Sequence, residues 1–296
     1  MTETSELLSK PAEMAVRVTP NTAPPVTRIG PSRGWQVIDL NELWRYRELL
    51  FFLVWRDVKI RYRQTVLGVA WAVIQPLLMM VVFTIFFGRM AGLSSGDIPY
   101  PLFALAGLLP WTFFSTALSQ AGNSVVVSER LITKIYFPRL AIPFAVVGAA
   151  AVDFLIAGGL LLVFMAYHHV WPTWHMLAAP LVFCVIALAA MGFGTLLAAL
   201  NVRYRDFRYL IPFLVQFWMF ATPTVYMQPK TGGSSTLDVI LGLNPMTGLI
   251  SAFRAACLGT PIPWMQFGCS AACVIAVFVM GCLYFRVSED AFADII

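Results

Sequence analysis

Ile142-Pro-Phe-Ala-Val-Val-Gly-Ala-Ala-Ala-Val-Asp-Phe-Leu-Ile-Ala-Gly-Gly-Leu-Leu-Leu-Val-Phe-Met-Ala166 carries a single charge, Asp153, in 25 residues. A helix needs roughly 20 apolar residues to cross a bilayer, so this stretch reads as a membrane span. Outward from it, five more stretches have the same texture: 66–87, 101–122, 176–200, 209–227 and 264–285. Six spans divide the connections into two sets, and 17 of the 20 Lys and Arg residues fall in one of them. Ten lie between Lys10 and Arg63, and the others are Arg130, Lys134, Arg139, Arg203, Arg205, Arg208 and Arg286. Arg89, Lys230 and Arg254 make up the opposite set. Cytoplasmic loops hold the excess of Lys and Arg, so both termini are expected in the cytoplasm. Composition points the same way. Hydrophobic residues are 59% of the chain and charged residues 12%, which excludes an ordinary soluble domain and leaves a helical bundle in lipid. The formal charge of +5 then orients the chain against anionic lipid and is no signal for nucleic acid.

Residues 1–39 are expected to form a flexible cytoplasmic tail, because 1–34 is rich in Thr, Pro, Ser and Glu and has no signal-peptide core. From 40 to 64 the texture changes. Leu49 to Trp55 is apolar but too short to span, and Arg45, Arg47, Arg56, Lys59, Arg61 and Arg63 surround it. Trp44, Phe51, Trp55, Val58 and Tyr62 recur at helical spacing, which predicts an amphipathic helix in the cytoplasmic interface. Its cations either set orientation or also meet an anionic lipid-linked substrate.

Catalytic chemistry is missing from the sequence. No Gly-rich loop ends in Lys-Ser or Lys-Thr, so ATP hydrolysis by the Walker route is not expected. The 15 Asp and Glu residues sit mostly in the tail, the interfacial helix and the last few positions, and form no intramembrane pair. Asp153 is the one acid inside a span. At the bilayer centre it costs roughly 2.5–3.5 kcal/mol on insertion scales, so it should face the protein interior or be protonated. A hydrogen bond to another helix is the expectation, with a part in gating as the alternative; a proton relay would need a chain of such groups. Cys184, Cys257, Cys269, Cys273 and Cys282 follow no disulfide or metal spacing and read as small apolar residues. His168, His169 and His175 flank a short outer loop without a carboxylate or thiol nearby, and no metal site is expected.

The segment Arg56-Asp-Val-Lys-Ile-Arg-Tyr-Arg-Gln-Thr-Val-Leu-Gly-Val-Ala-Trp-Ala-Val-Ile-Gln-Pro76 resembles the start of the membrane subunits of type-2 ABC exporters of O-antigen, capsular polysaccharide and teichoic acid. Three further matches follow in order. They are Leu131-Ile132 with Lys134 and Tyr136-Phe-Pro-Arg139, then Asn201 with Tyr204-Arg-Asp-Phe207, then Pro223, Tyr226 and Asn244-Pro245. Together they cover about 40 to 288. The resemblance implies a homodimer of permease subunits, each engaging a separate ABC ATPase that supplies ATP and Mg. It also implies force transmission through the first cytoplasmic loop, where Glu129, Arg130, Lys134 and Phe137 are the coupling candidates. Leu131, Ile132, Ile135 and Phe137 would give that loop an apolar docking face, and Pro138 would end it.

In the outer loop 228–263, Leu237 to Leu243 and Met246 to Leu258 are too short to cross and read as re-entrant half-helices. Asn244-Pro245 suits a helix start, with a side-chain oxygen to cap free N–H groups and a proline where no donor is needed. The resemblance makes these half-helices an outer gate. Arg254 would meet a diphosphate or sugar there, or snorkel to the interface. Aromatic residues are 14% of the chain. Trp171, Trp174 and Trp264 fit an interfacial belt. Trp71, Trp111, Phe217, Trp218 and Tyr226 are channel or gate candidates, because sugar C–H faces stack on aromatic rings, with bundle packing as the alternative.

The expected protein is therefore an all-α, six-span membrane domain over 65–288 with a short cytoplasmic C-terminus at 289–296. Its expected function is to form half of an ATP-driven channel exporting a lipid-linked polysaccharide across the inner membrane of a bacterium. The lipid head would be met by Arg56, Lys59, Arg61 and Arg63. Export of a small drug or lipid is the alternative within the superfamily, and a membrane enzyme acting on lipid-linked sugars the alternative outside it.

Overall fold

The computed structural model describes residues 44–63, 68–90, 92, 98–133, 137–224 and 244–295, and the regular elements among them are all helical. Helix α1 covers Arg47–Tyr62 and α2 covers Ala70–Phe83, continuing as a π-helical segment Thr84–Met90. Next come α3 at Tyr100–Val127, the short α4 at Glu129–Ile132 and α5 at Ala141–Tyr167. A 3₁₀ turn at Trp174–Ala178 leads into α6, Ala179–Arg203. The series ends with α7 at Phe207–Phe220, α8 at Pro245–Leu258 and α9 at Trp264–Ile295.

Five of these helices are long and apolar enough to cross a membrane: Ala70–Met90, Tyr100–Val127, Ala141–Tyr167, Trp174–Arg203 and Trp264–Glu289. They fall on the expected stretches, each displaced by a few residues. The exception is 209–227. There α7 has 14 residues, about 21 Å at 1.5 Å per residue, which is short of a bilayer's hydrocarbon thickness. Residues 225–243, with Tyr226 and the first expected half-helix, lie outside those described.

The core is built around α3. It is buried along most of its length, and α5, α6 and α8 pack on it while α9 closes against α6. Small residues permit these approaches, as expected where packing in lipid must come from close contact. At Gly192 on α6 a Cβ would stand 2.7 Å from the Phe278 Cα of α9, so the two backbones touch where only glycine fits. The polar tie between α3 and α6 is Asn201, buried, whose amide donates to the Gly122 carbonyl at 3.0 Å and to Asn123 Oδ1 at 3.1 Å.

Helix α1 differs from the expected amphipathic pattern. The stripe of Trp44, Phe51 and Trp55 is exposed, and the packed side is Leu49, Leu50, Leu53 and Val54. Apolar residues thus occupy two sides of the helix, one against protein and one facing out. Its contacts also give its course. Val54 lies against Gly148, and seven residues later Arg61 meets Asp153, so α1 runs beside the first half of α5 in the same direction.

The last helix continues past the expected span end at 285. Phe292 is buried and packs edge-on against Phe285 at 5.2 Å between ring centroids.

Candidate functional site

Among the described residues, two polar constellations involve a guanidinium drawn between helices of the bundle. The first is at the end of α1. Arg61 donates from Nη1 to the Asp153 carboxylate on α5 and from Nη2 to Gln120 Oε1 on α3 at 2.5 Å. The Tyr62 hydroxyl donates to the other Asp153 oxygen. One guanidinium thereby joins three helices, and the lone acid of the spans has the cation its burial demands. Burial pushes the Arg61 guanidinium below its ordinary value, with Tyr62 and Asp57 opposing the shift; arginine remains protonated all the same. Burial pushes the Tyr62 phenol up, which keeps it a donor.

Arg61 and Gln120 stand between two cavities. One, of about 320 Å³, lies among α1, α2, α3 and α5 and is lined by Tyr62, Trp71, Gln75, Thr112, Thr116 and Asp153 besides those two. The other is a wider groove of about 820 Å³ toward the loop end of α3, lined by Arg56, Asp57, Ser119, Asn123, Ser128 and Arg130 with the same two residues. Trp71 alone of the aromatic channel candidates among the described residues lines either cavity.

The four cations expected at a substrate head group have different surroundings. Arg56 is held by its neighbour Asp57, with N–O distances of 2.9 and 2.8 Å. Lys59 and Arg63 are exposed. Arg61 alone is drawn into the bundle. Of the coupling candidates, Glu129 and Arg130 are exposed on α4, and Lys134 lies outside the described residues. Phe137 does not present a docking face. It is buried with Ile132, Leu140, Phe285 and Phe292, while Glu129 and Arg130 face out. The loop is also held by α9. The Arg139 guanidinium donates to the Glu289 carbonyl, and its backbone N–H donates to Glu289 Oε1 at 3.2 Å.

The second constellation ends α7. The last carbonyls of a helix have no partner within it and must find one elsewhere. Here α8 supplies the donors. Asn244 donates to the Ala221 carbonyl at 3.1 Å and to Thr222 Oγ1 at 2.8 Å, and accepts from Trp218 Nε1 at 2.9 Å and Met246 N at 3.1 Å. The cap expected of Asn244 is thus formed, and the same side chain fastens α7. Arg254 donates to the carbonyls of Pro223 and Thr224, and its guanidinium lies 3.9 Å from the centroid of the Phe103 ring. The loop arginine is therefore an interior side chain, neither displayed on an outer surface nor snorkelling. Gly107 makes room for it, since a Cβ there would collide with the guanidinium and the Thr224 carbonyl.

Trp218 packs edge-on against Phe114 and Phe193 at 5.2 and 5.0 Å, and Trp111 is buried beside Phe114. Both are packing residues of this subunit. Phe217, by contrast, is 67% exposed. Gln120 and Glu289 were not singled out in the sequence. A lone acid in a span called for a cation, but nothing marked the residue 92 positions earlier as that cation, nor the amide that shares it.

Known proteins resemble this chain. A chain of Myxococcus xanthus named O-antigen export system permease protein RfbA is 34% identical over 217 residues, 73% of this chain and 82% of that one. A Klebsiella pneumoniae protein of the same name is 24% identical over 250 residues, covering 84% of this chain and 95% of its own. The Escherichia coli polysialic acid transport protein KpsM is 22% identical over 166 residues, 54% of this chain and 63% of that one. Residues 48–258 match the family described as ABC-2 type transporter, so this multi-span chain belongs to that family of membrane permeases.

Proposed function

We propose that the chain is the channel-forming subunit of an ATP-driven exporter that moves a lipid-linked, O-antigen-like polysaccharide across the cytoplasmic membrane of a bacterium. Two copies pair, and each engages one separate ATPase chain that binds ATP and Mg. Both termini and the 128–139 loop face the cytoplasm, where the basic residues lie. The segment from 209 to 227 completes a sixth span, and α8 is the re-entrant element at the outer side. One observation carries the reading: a family match over 48–258 encloses a basic groove that meets an intramembrane cavity at Arg61. The names of the relatives supply the class of cargo, and the groove supplies cations of the kind a phosphate-linked head group needs.

Reconstitution tests it. The chain and its ATPase in proteoliposomes are expected to move a lipid-linked polysaccharide in the presence of ATP and not without it. Transport confined to small apolar compounds, or glycan transfer by the purified chain, would replace this reading with one of its alternatives.

A further inference from the structure

The Arg61–Asp153 pair is oddly built for a purely structural tie. Replacing a buried ion pair by packed apolar residues is often neutral or stabilising, so packing alone gives little reason to keep one. Nor is this pair sealed. The side chains of Arg61 and Asp153 are 25% and 26% exposed, and both line the 320 Å³ cavity. The guanidinium donates from its two terminal nitrogens to a carboxylate oxygen on α5 and the Gln120 amide oxygen on α3, and the same fork of donors can serve a phosphate. The Tyr62 hydroxyl already donates to the carboxylate, and Gln75, Thr112 and Thr116 line the same cavity. On the groove side, Arg56 and Arg130 continue the basic lining up to Arg61.

We propose that Asp153 is a built-in stand-in for a phosphate, and that a phosphate or diphosphate group arriving through the groove takes Arg61 from it. The binding site is then Arg61 with Tyr62 and Gln120, approached past Arg56 and Arg130. Asp153 competes for the cation when the site is empty and so sets how tightly the anion is held. The exchange also removes the polar link that Arg61 makes among α1, α3 and α5, which otherwise pack through apolar side chains. This deepens the exporter reading and rests on it for the direction of arrival.

The test is binding by the full chain in nanodiscs of zwitterionic phosphatidylcholine, titrated with a polyprenyl diphosphate, with neutral polyprenol, and with inorganic pyrophosphate, bound fractions being read by native mass spectrometry. Asp153→Asn keeps the shape and removes the competing charge, and is expected to bind polyprenyl diphosphate at least fivefold more tightly. Arg61→Gln should bind it at least tenfold more weakly, with polyprenol unaffected by either change. The same shifts with pyrophosphate identify free phosphate groups as sufficient; shifts confined to the lipid identify a lipid head group as the ligand. A folded Asp153→Asn chain that binds no more tightly overturns the proposal. Should that variant not accumulate, Arg61→Lys decides, since lysine keeps the pair but not the fork. It is expected to lose about fivefold, and binding equal to the parent overturns the proposal. A complex that exports while every variant binds alike loses the exchange and keeps the exporter; a parental chain that neither binds polyprenyl diphosphate nor exports loses both.

Discussion

Arg254 and Gly107 illustrate how one residue's chemistry dictates another's size. A guanidinium inside the bundle must have its donors met, and the carbonyls of Pro223 and Thr224 meet two of those demands. The space for it exists because position 107 has no side chain. Gly107→Ala is therefore expected to lower stability by about 1–3 kcal/mol, the usual range for overpacking. Gly159, on α5, has open space where its Cβ would be, and Gly159→Ala should cost nothing or gain up to about 1 kcal/mol from helix propensity. Thermal unfolding of both variants in detergent, followed by size-exclusion fluorescence, compares them directly. Equal midpoints would mean that α8 shifts freely to accommodate the methyl group.

At the scale of elements, the loop after α3 and the end of α9 form one unit. Phe137, Leu140, Phe285 and Phe292 share a core, and Arg139 is fastened to Glu289. The proposed coupling role asks for a stiff loop, and this cluster ties its described residues to α9. Phe292→Ala removes a fully buried ring, a change that typically costs 3–5 kcal/mol, here spent locally at a helix end. The expected outcome is faster tryptic cleavage between 130 and 139 in otherwise intact protein. Cleavage at the parental rate would separate the loop from α9. The exposed charges on the same loop have a different expected effect. Replacing Glu129, Arg130 and Lys134 together by Ala should weaken association with the partner ATPase, while membrane insertion is kept by the remaining basic residues. Full export by that triple variant would reduce the loop to a connector.

For the whole molecule, the sequence contains no Walker-type loop, which fits the proposal that ATP is hydrolysed on another chain. Purified alone, the protein is expected to show no ATP hydrolysis above background. Co-expressed with its ATPase, it should be recovered as a complex of two copies of each, measured by light scattering. ATP turnover by the isolated chain, abolished together with protein removal by immunodepletion, would overturn the division of labour. Large apolar side chains remain exposed along α2 and α7, including Leu78, Val82, Phe86, Phe213 and Phe217. In a membrane protein such surfaces meet lipid or a second subunit.

The class of fold was legible in the sequence because hydropathy and charge are one-dimensional: a span must be apolar for some 20 residues wherever its neighbours lie. That is why Ile142–Ala166 reads correctly without any contact being known, and why the motifs around Arg56 and Asn244 point to the family. Other features required the third dimension. Phe51 and Leu53 look alike in a list, and only the packing of α1 on the bundle makes one exposed and the other core. The carbonyls of Ala221 and Thr224 after α7 are met by Asn244 and Arg254, a pairing beyond the reach of any hydropathy window. Asp153 announced its cost in the sequence, but which cation and which amide answer it depends on three helices converging, and sequence distance carries no information about that convergence.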